Sequence, residues 1–228
     1  MILRKWNDLP KEMQIPEVRE YYDILRKKKF QLVIKRLFDI VVSFTLLAVL
    51  SPLFIILAIA IKLDSKGPVF YRQTRVTQYG KKFRIFKFRS MVTDADKGSL
   101  LTVGGDSRIT KTGKFIRKYK LDEFSQLIDV LRGTMTFVGT RPEVPKYVEK
   151  YTPEMMATLL MPAGITSEAS VYYKDENELL DSAEDVEKTY LEVVLPDKMK
   201  YNLAAIRSFS LIDDIKVMVL TVLAVFRK

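Results

Sequence analysis

An adjacent carboxylate pair, Asp122-Glu123, opens a stretch in which Leu121, Phe124, Leu127, Ile128 and Leu131 recur at helical spacing until Gly133. Carboxylates in a first helical turn are favoured anyway by capping and the helix dipole, ~0.3–1 kcal/mol each, so the pair alone does not define a site. Its setting adds weight. Arg117, Lys118 and Lys120 stand immediately upstream. A carboxylate among cations stays ionised and can hold Mg2+. The chain has no cysteine and no histidine. Those zeros exclude Cys/His zinc sites, Ser-His-Asp triads, cysteine nucleophiles and structural disulfides. Catalysis in such a chain rests on Asp, Glu, Lys, Arg, Ser, Thr or Tyr, with a hard metal as the compatible ion. An aspartate is then the natural covalent nucleophile toward phosphorus, and Mg2+ would shield the repulsion between it and a diphosphate.

Lys87, Arg89, Arg117, Arg132 and Arg141 are candidate phosphate ligands. Arginine offers a planar fork for two phosphate oxygens. The plain alternative for each is a surface or lipid-headgroup charge. Arg141 stands out because Gly139-Thr140-Arg141-Pro142 constrains its backbone. KTGK lacks the earlier glycine of a P-loop, and no G-x-G-x-x-G occurs, so a nucleotide turn of either type is not supported.

These residues need elements to position them, and the charge distribution suggests where they lie. The net charge of +10 is uneven: +5 over residues 1–36, −1 over 37–61, +12 over 62–120 and −6 over 121–228. Positive charge therefore flanks one apolar run, which favours anionic lipid, nucleic acid or a phosphorylated substrate as a partner. The run, Ile40 to Ile61, is 22 residues without a charge. As a straight helix it would be ~33 Å long, enough to cross a ~30 Å hydrocarbon core. Ser51-Pro52 lies near its middle, and the proline removes the donor that the Ala48 carbonyl would use. Basic residues on both sides fit a hairpin that enters and leaves one face better than a span. A kinked span remains the alternative, because prolines do occur in such helices.

Val18, Tyr21, Tyr22 and Leu25 predict an amphipathic helix ahead of the run, lying on the membrane surface. VFYRQTRV and KKFRIFKFRSM, separated by Tyr79-Gly80, predict a β-hairpin. Residues 94–113 read as a glycine-rich loop, residues 168–192 as an acidic solvated face, and the last 25 residues as a helix capped by Asp213 or Asp214. The expected organisation is an interfacial segment at 1–36, a re-entrant membrane helix at 37–63 and a catalytic domain at 64–228. The expected fold class is α+β, mostly helical, with a small β-hairpin.

The chain resembles the bacterial sugar transferase family, the monotopic polyprenol-phosphate phosphoglycosyl transferases in their short form. The resemblance runs from about Lys35 to the C-terminus. It is carried by KRLFDIVVS, Ser51-Pro52, GPVFYRQTRVTQYGKKFRIFKFRSM, RITKTGKFIRKYKLDEFSQLIDVLRGTMTFVGTRPEVP, PAGIT, and a tail with Ser210, Asp214 and Thr221. The resemblance implies that Ser51 and Pro52 break a re-entrant helix on the cytoplasmic face of the bacterial inner membrane. It implies that Asp122 attacks a UDP-sugar, releases UMP and carries a covalent phosphosugar, which passes to polyprenol phosphate (undecaprenyl phosphate). That reaction is the first membrane step of exopolysaccharide or glycoconjugate assembly. Glu123 would be the dyad partner, Asp122 would ligate Mg2+, and Lys87, Arg117 and Arg141 would bind substrate phosphate. Membrane lipid is an implied partner, nucleic acid is not, and a homodimer is compatible with the sequence.

Three positions depart from the family pattern. Thr140 stands where a proline usually precedes the arginine, Phe124-Ser125 follow the dyad where Leu-Pro is usual, and SEASVYY follows PAGIT. A rival reading is a membrane-anchored basic binding or assembly protein without catalysis, since Phe83, Phe86, Phe88, Tyr71 and Tyr79 interleave with cations.

Overall fold

The structure, a computed structural model, describes residues 3–93, 108–173, 180, 183 and 185–226, with the backbone alone at 225 and 226. Most of the loop expected at 94–113 and part of the acidic stretch 168–192 lie outside the described residues. Helices α1 (Pro16–Lys27) and α2 (Lys29–Asp64) come first. Short strands β1 (Phe70–Tyr71), β2 (Thr74–Val76), β3 (Lys82–Arg84) and β4 (Lys87–Phe88) follow. Next are α3 (Lys111–Lys118), a 3-10 turn at Leu121–Gln126 that runs into α4 (Leu127–Arg132), β5 (Met135–Val138), α5 (Pro145–Val148) and β6 (Ala163–Thr166). The chain ends with α6 (Glu168–Tyr172), α7 (Val186–Thr189), α8 (Leu195–Arg207) and α9 (Leu211–Phe226). Helices dominate and the sheets are small, an α+β arrangement.

The apolar stripe of α1 is covered by the protein itself. Val18, Tyr21, Tyr22 and Leu25 are buried against Leu159, Leu160, Leu203 and Ile206. The expected end of the interfacial segment at residue 36 falls inside α2.

Helix α2 keeps its helical assignment through Pro52. The missing proline N–H leaves the Ala48 carbonyl without its usual donor. The Ser51 hydroxyl donates to that carbonyl at 2.8 Å, so Ser51 replaces the hydrogen bond that Pro52 removes. Only 11% of the helix's apolar window is buried, so it is not a soluble core helix, and it is long and apolar enough to cross a membrane. Both halves touch the folded body. Val42, Leu46, Leu47, Leu50 and Phe54 pack against a cluster containing Val130 and Phe137. Leu57 and Ile61 pack with Phe88 and Ile116.

Polar bonds fix the same helix. The Arg36 guanidinium donates to the Val130 and Leu131 carbonyls at 2.7 and 2.9 Å, satisfying the open C-terminal end of α4. Buried Asp39 accepts from the Thr136 hydroxyl at 2.8 Å and from the Phe137 amide at 3.3 Å. Lys35 pairs with Asp214 of α9 at 2.6 Å. At the other end Asp64 accepts from the Thr112 amide of α3 at 2.8 Å.

The predicted hairpin forms as two antiparallel pairs, β1 with β4 and β2 with β3. The break between them has a cause. The Phe86 amide leaves the ladder and donates to Asp129 of α4 at 2.7 Å, tying hairpin to helix. That explains why Phe86 and Phe88 interrupt the alternation. The tail differs from expectation. Two helices, α8 and α9, occupy it, and the Ser210 hydroxyl accepts the Ile212 amide, with Asp213 and Asp214 in the first turn of α9.

β5 and β6 pair in parallel, Met135 beside Ala163 and Val138 beside Thr166. Beyond β5 the Gly139 amide donates to the Thr166 carbonyl, and the Gly164 amide donates to the Thr140 carbonyl, both at 2.9 Å. This close backbone approach explains PAGIT: a Cβ on Gly164 would collide with the Gly139 backbone. Gly164→Ala is therefore expected to cost about 1–3 kcal/mol and displace the loop carrying Arg141, checked as a fall in Tm together with weaker donor binding.

Candidate active site

Asp122 and Glu123 sit in the 3-10 turn that leads into α4, not in a regular helix. Lys120 precedes them in the left-handed region, φ 55°, which turns the chain sharply at the end of α3. The Ser125 hydroxyl donates to the Asp122 carbonyl at 3.2 Å and steadies the turn. Gly133, at φ 83°, ends α4 as the sequence predicts.

Lys87 of β4 reaches both carboxylates, 3.0 Å from Asp122 Oδ2 and 3.6 Å from Glu123 Oε1. Arg141 donates to Glu123 Oε1 at 2.7 Å. Burial pushes the Glu123 carboxyl up, but the Arg141 and Lys87 charges outweigh it and hold that group well below the usual carboxylate range. Asp122 is only 5% exposed, and its Oδ1 has no hydrogen-bond partner among the described residues. A buried carboxylate oxygen without a donor is costly unless something else uses it.

Lys87 and Arg141 also line a cleft of about 500 Å³, so the dyad borders it. Among the described residues, Lys87 and seven arginines line that cleft, Arg72, Arg75, Arg84, Arg89, Arg108, Arg117 and Arg141, and no carboxylate does. Phe70, Tyr71, Ile85 and Phe88 supply apolar wall. Such a cleft concentrates anions, with arginine forks for phosphate and flat apolar surface for a ring.

The sequence-derived candidates thus divide. Asp122, Glu123, Lys87 and Arg141 are brought into direct contact, and Arg117 joins the same cleft wall. Arg89 lines the cleft but is 5% exposed, and its guanidinium donates to the Ser65 carbonyl at 2.8 Å and to the Lys66 carbonyl. It caps the end of α2. Arg132 has its guanidinium carbon 5.8 Å from the Phe86 ring centre and is not among the described residues that line the cleft. Ser51 and Pro52 stand in α2, far along the chain from the dyad. Among the described residues no group of three acidic side chains forms a metal cage, so a metal here would depend on Asp122 and the ligand.

Arg72, Arg75, Arg84 and Gln126 were not singled out from sequence, although the excess of cations over residues 62–120 pointed to the region. Arg75 donates to Gln73 Oε1 at 2.6 and 2.9 Å and to the Pro142 carbonyl at 3.0 Å, so it holds the loop that presents Arg141. Nothing in the sequence pairs residue 75 with residue 142. The constraint on Arg141 expected from its neighbours is real, but it comes from Arg75 and from the Gly139–Gly164 contact rather than from a second proline.

A mostly helical α+β body carries an arginine-lined cleft, a buried acidic pair beside it, and a membrane-length helix whose Arg36 braces α4 behind that pair. The helix suits a membrane and the cleft suits an anionic ligand. The chain belongs to the bacterial sugar transferase family, whose sequence profile matches residues 30–228. It is similar to the UDP-glucose:undecaprenyl-phosphate glucose-1-phosphate transferase of Klebsiella pneumoniae, 37% identical over 196 residues, 84% of this chain and 40% of that protein. It is also similar to the putative undecaprenyl-phosphate N-acetylgalactosaminyl 1-phosphate transferase of Bacillus subtilis (strain 168), 36% identical over 156 residues, 68% of this chain and 87% of that protein. A third relative is the UDP-N-acetylgalactosamine-undecaprenyl-phosphate N-acetylgalactosaminephosphotransferase of Aeromonas hydrophila, 34% identical over 193 residues, covering 83% of this chain and 43% of that protein. The chain therefore spans less than half the length of the Klebsiella and Aeromonas proteins.

Proposed function

We propose that this protein transfers a sugar 1-phosphate from a UDP-sugar to undecaprenyl phosphate and releases UMP. One observation carries the reading: Asp122 presents a buried oxygen that has no partner among the described residues, beside a cleft whose described lining is cationic and neutral. The relatives' names supply the donor and acceptor classes.

The arginines of the cleft hold the donor's diphosphate, and Lys87, 3.0 Å from Asp122 Oδ2, aims the Asp122 carboxylate. Asp122 attacks the β-phosphorus, the bond from that phosphorus to the bridging oxygen breaks, and UMP leaves with the electron pair. The undecaprenyl phosphate oxygen then attacks the same phosphorus and the Asp122 carboxylate is released. Glu123 is held by Arg141 and Lys87, so it orients both cations as the phosphate charge moves. Mg2+ is commonly held by one or two carboxylates plus substrate phosphates, so the Asp122 carboxylate and the donor's phosphates would hold it here. When bound, Mg2+ supplies charge neutralisation at the diphosphate.

In the same reading α2 re-enters the cytoplasmic face of the membrane, bent at Ser51-Pro52, which places the dyad at the level of the lipid phosphate. Support comes from the basic flanks and from the contact of both halves of α2 with one folded body. Cysteines placed at Lys28 and at Ser65 should both resist labelling from outside the cell. Labelling of one alone would make α2 a span.

The functional test is a panel of UDP-sugars with undecaprenyl phosphate and Mg2+, scored by UMP. At least one donor should give UMP together with a lipid diphosphosugar, and chelating the metal should stop it. No UMP from any donor would return the protein to the class of membrane-anchored binding proteins.

A further inference from the structure

A carboxylate that the proposed reaction does not use lies behind the loop of Arg141. Glu143 is 6% exposed. Burying a carboxylate is costly unless donors or cations face it. The Tyr190 hydroxyl donates to Glu143 Oε1 at 2.6 Å. The Glu143 carbonyl accepts the Val76 amide at 2.9 Å, which joins the residue to the end of β2. Side chain and backbone are therefore both tied.

Tyr190 opens a π-helical turn, Tyr190–Val194, between α7 and α8. Its ring packs on that of Tyr147, with centres 5.0 Å apart, in a buried cluster with Val144, Val194 and Leu195. That packing fixes the ring, so the hydroxyl holds the carboxylate in one place.

The carboxylate acts on Arg75. Burial holds the Arg75 guanidinium below its ordinary value, the Glu143 charge is the largest that opposes this, and the Arg141 charge adds to the lowering. Arg75 and Arg141 thus repel each other, and Glu143 offsets the repulsion. Arg75 in turn donates to the carbonyl of Pro142, the residue after Arg141, at 3.0 Å. Contacts run from Tyr190 to Glu143, then through Arg75 and Pro142 to Arg141, whose guanidinium meets Glu123.

We propose that Glu143, fixed by Tyr190, is a positioning residue for the donor diphosphate: it keeps Arg75 on the Pro142 carbonyl and so sets where the Arg141 fork stands in the cleft. The inference rests on the reading of that cleft as the donor site. Two roles for this carboxylate have opposite signs. As a bare charge near an anion site Glu143 repels the diphosphate, and removing it would tighten binding. As a positioning residue, its removal weakens binding.

The affinity of the full chain for UDP, with Mg2+, is measured by titration calorimetry in lipid nanodiscs. Glu143→Gln keeps the shape and an acceptor for Tyr190 but loses the charge. Tyr190→Phe keeps the charge and loses the hydroxyl, and it carries the test alone if Glu143→Gln does not fold. Each should weaken UDP binding about tenfold, and each should cost less than about twofold when added to Arg141→Gln, because effects that act through one group are not additive. Unchanged or tighter binding in either variant, with UDP bound normally by the wild type, overturns the inference and leaves the donor site in place. The same tenfold loss beside Arg141→Gln also overturns it, since a general loosening of the fold is indifferent to Arg141. A wild type that does not bind UDP overturns the inference and the reading of the cleft together.

Discussion

Asp122→Asn is expected to leave the protein folded and to lower UMP release from the UDP-sugar by roughly 10⁴-fold or more, the scale seen when a covalent nucleophile is removed. The amide has nearly the same shape, so packing in the turn before α4 is kept, and Lys87 retains Glu123 as a partner at 3.6 Å. What disappears is the anionic oxygen. In the wild type Asp122 Oδ2 is held by Lys87 and Oδ1 has no partner among the described residues, which leaves one oxygen available to phosphorus. A rapid-quench assay with donor alone separates the steps. The wild type should release one UMP per site before acceptor is added, and the variant none. An unchanged burst would remove Asp122 from the covalent role and make the cleft arginines the whole of the catalytic apparatus.

The second large effect is expected at Arg141. Arg141→Lys keeps a charge but loses the planar fork, and kcat/KM should fall about 10²-fold; Arg141→Gln should fall further. Arg141 touches Glu123 directly, so the pH response changes as well. Burial alone would raise the Glu123 carboxyl, and the Arg141 charge, followed by that of Lys87, brings it well below its ordinary range. A carboxyl lowered in the folded state contributes stability that is present above its unfolded pKa of about 4.3 and is lost as pH falls below it. Without the Arg141 cation the folded value moves upward, so Arg141→Gln should lose stability at higher pH than the wild type does. Melting curves between pH 3 and pH 7 test this. Coincident acid limbs for the two proteins would show that Lys87 alone fixes the charge of Glu123.

Local chemistry was legible in the sequence because it depends on residue type and near neighbours. The absence of cysteine and histidine confined catalysis to carboxylates, cations and hydroxyl groups. Ser51-Pro52 announced a missing backbone donor inside the apolar helix, and the structure puts the Ser51 hydroxyl on the carbonyl that the proline orphans while α2 runs on through Pro52. Gly133 announced the end of α4. The hairpin was legible from its alternation, and its break at Phe86 was visible as a fault in that alternation. The reason for the break, Asp129 of α4, lies 43 residues away.

Contacts over such distances were decided by the tertiary structure alone. The stripe of α1 reads the same whether it faces lipid or protein, since both are apolar, and only the fold assigns it to the core beside α8. Arg89 and Arg141 are identical as residue types. One ends up against the carbonyls that close α2 and the other against Glu123, because backbone acceptors and a buried acid compete for guanidinium groups by position. Arg36, Arg75 and the Gly139–Gly164 contact were silent in the sequence for the same reason: each acts on a partner brought near only when α2, the hairpin and β6 close around the dyad. Composition and spacing therefore determined which chemistry this chain can perform and that an apolar helix accompanies it. Which cations reach the carboxylates depended on packing, because hydrogen bonds and ion pairs act over a few ångströms and the residues that make them are scattered along the chain.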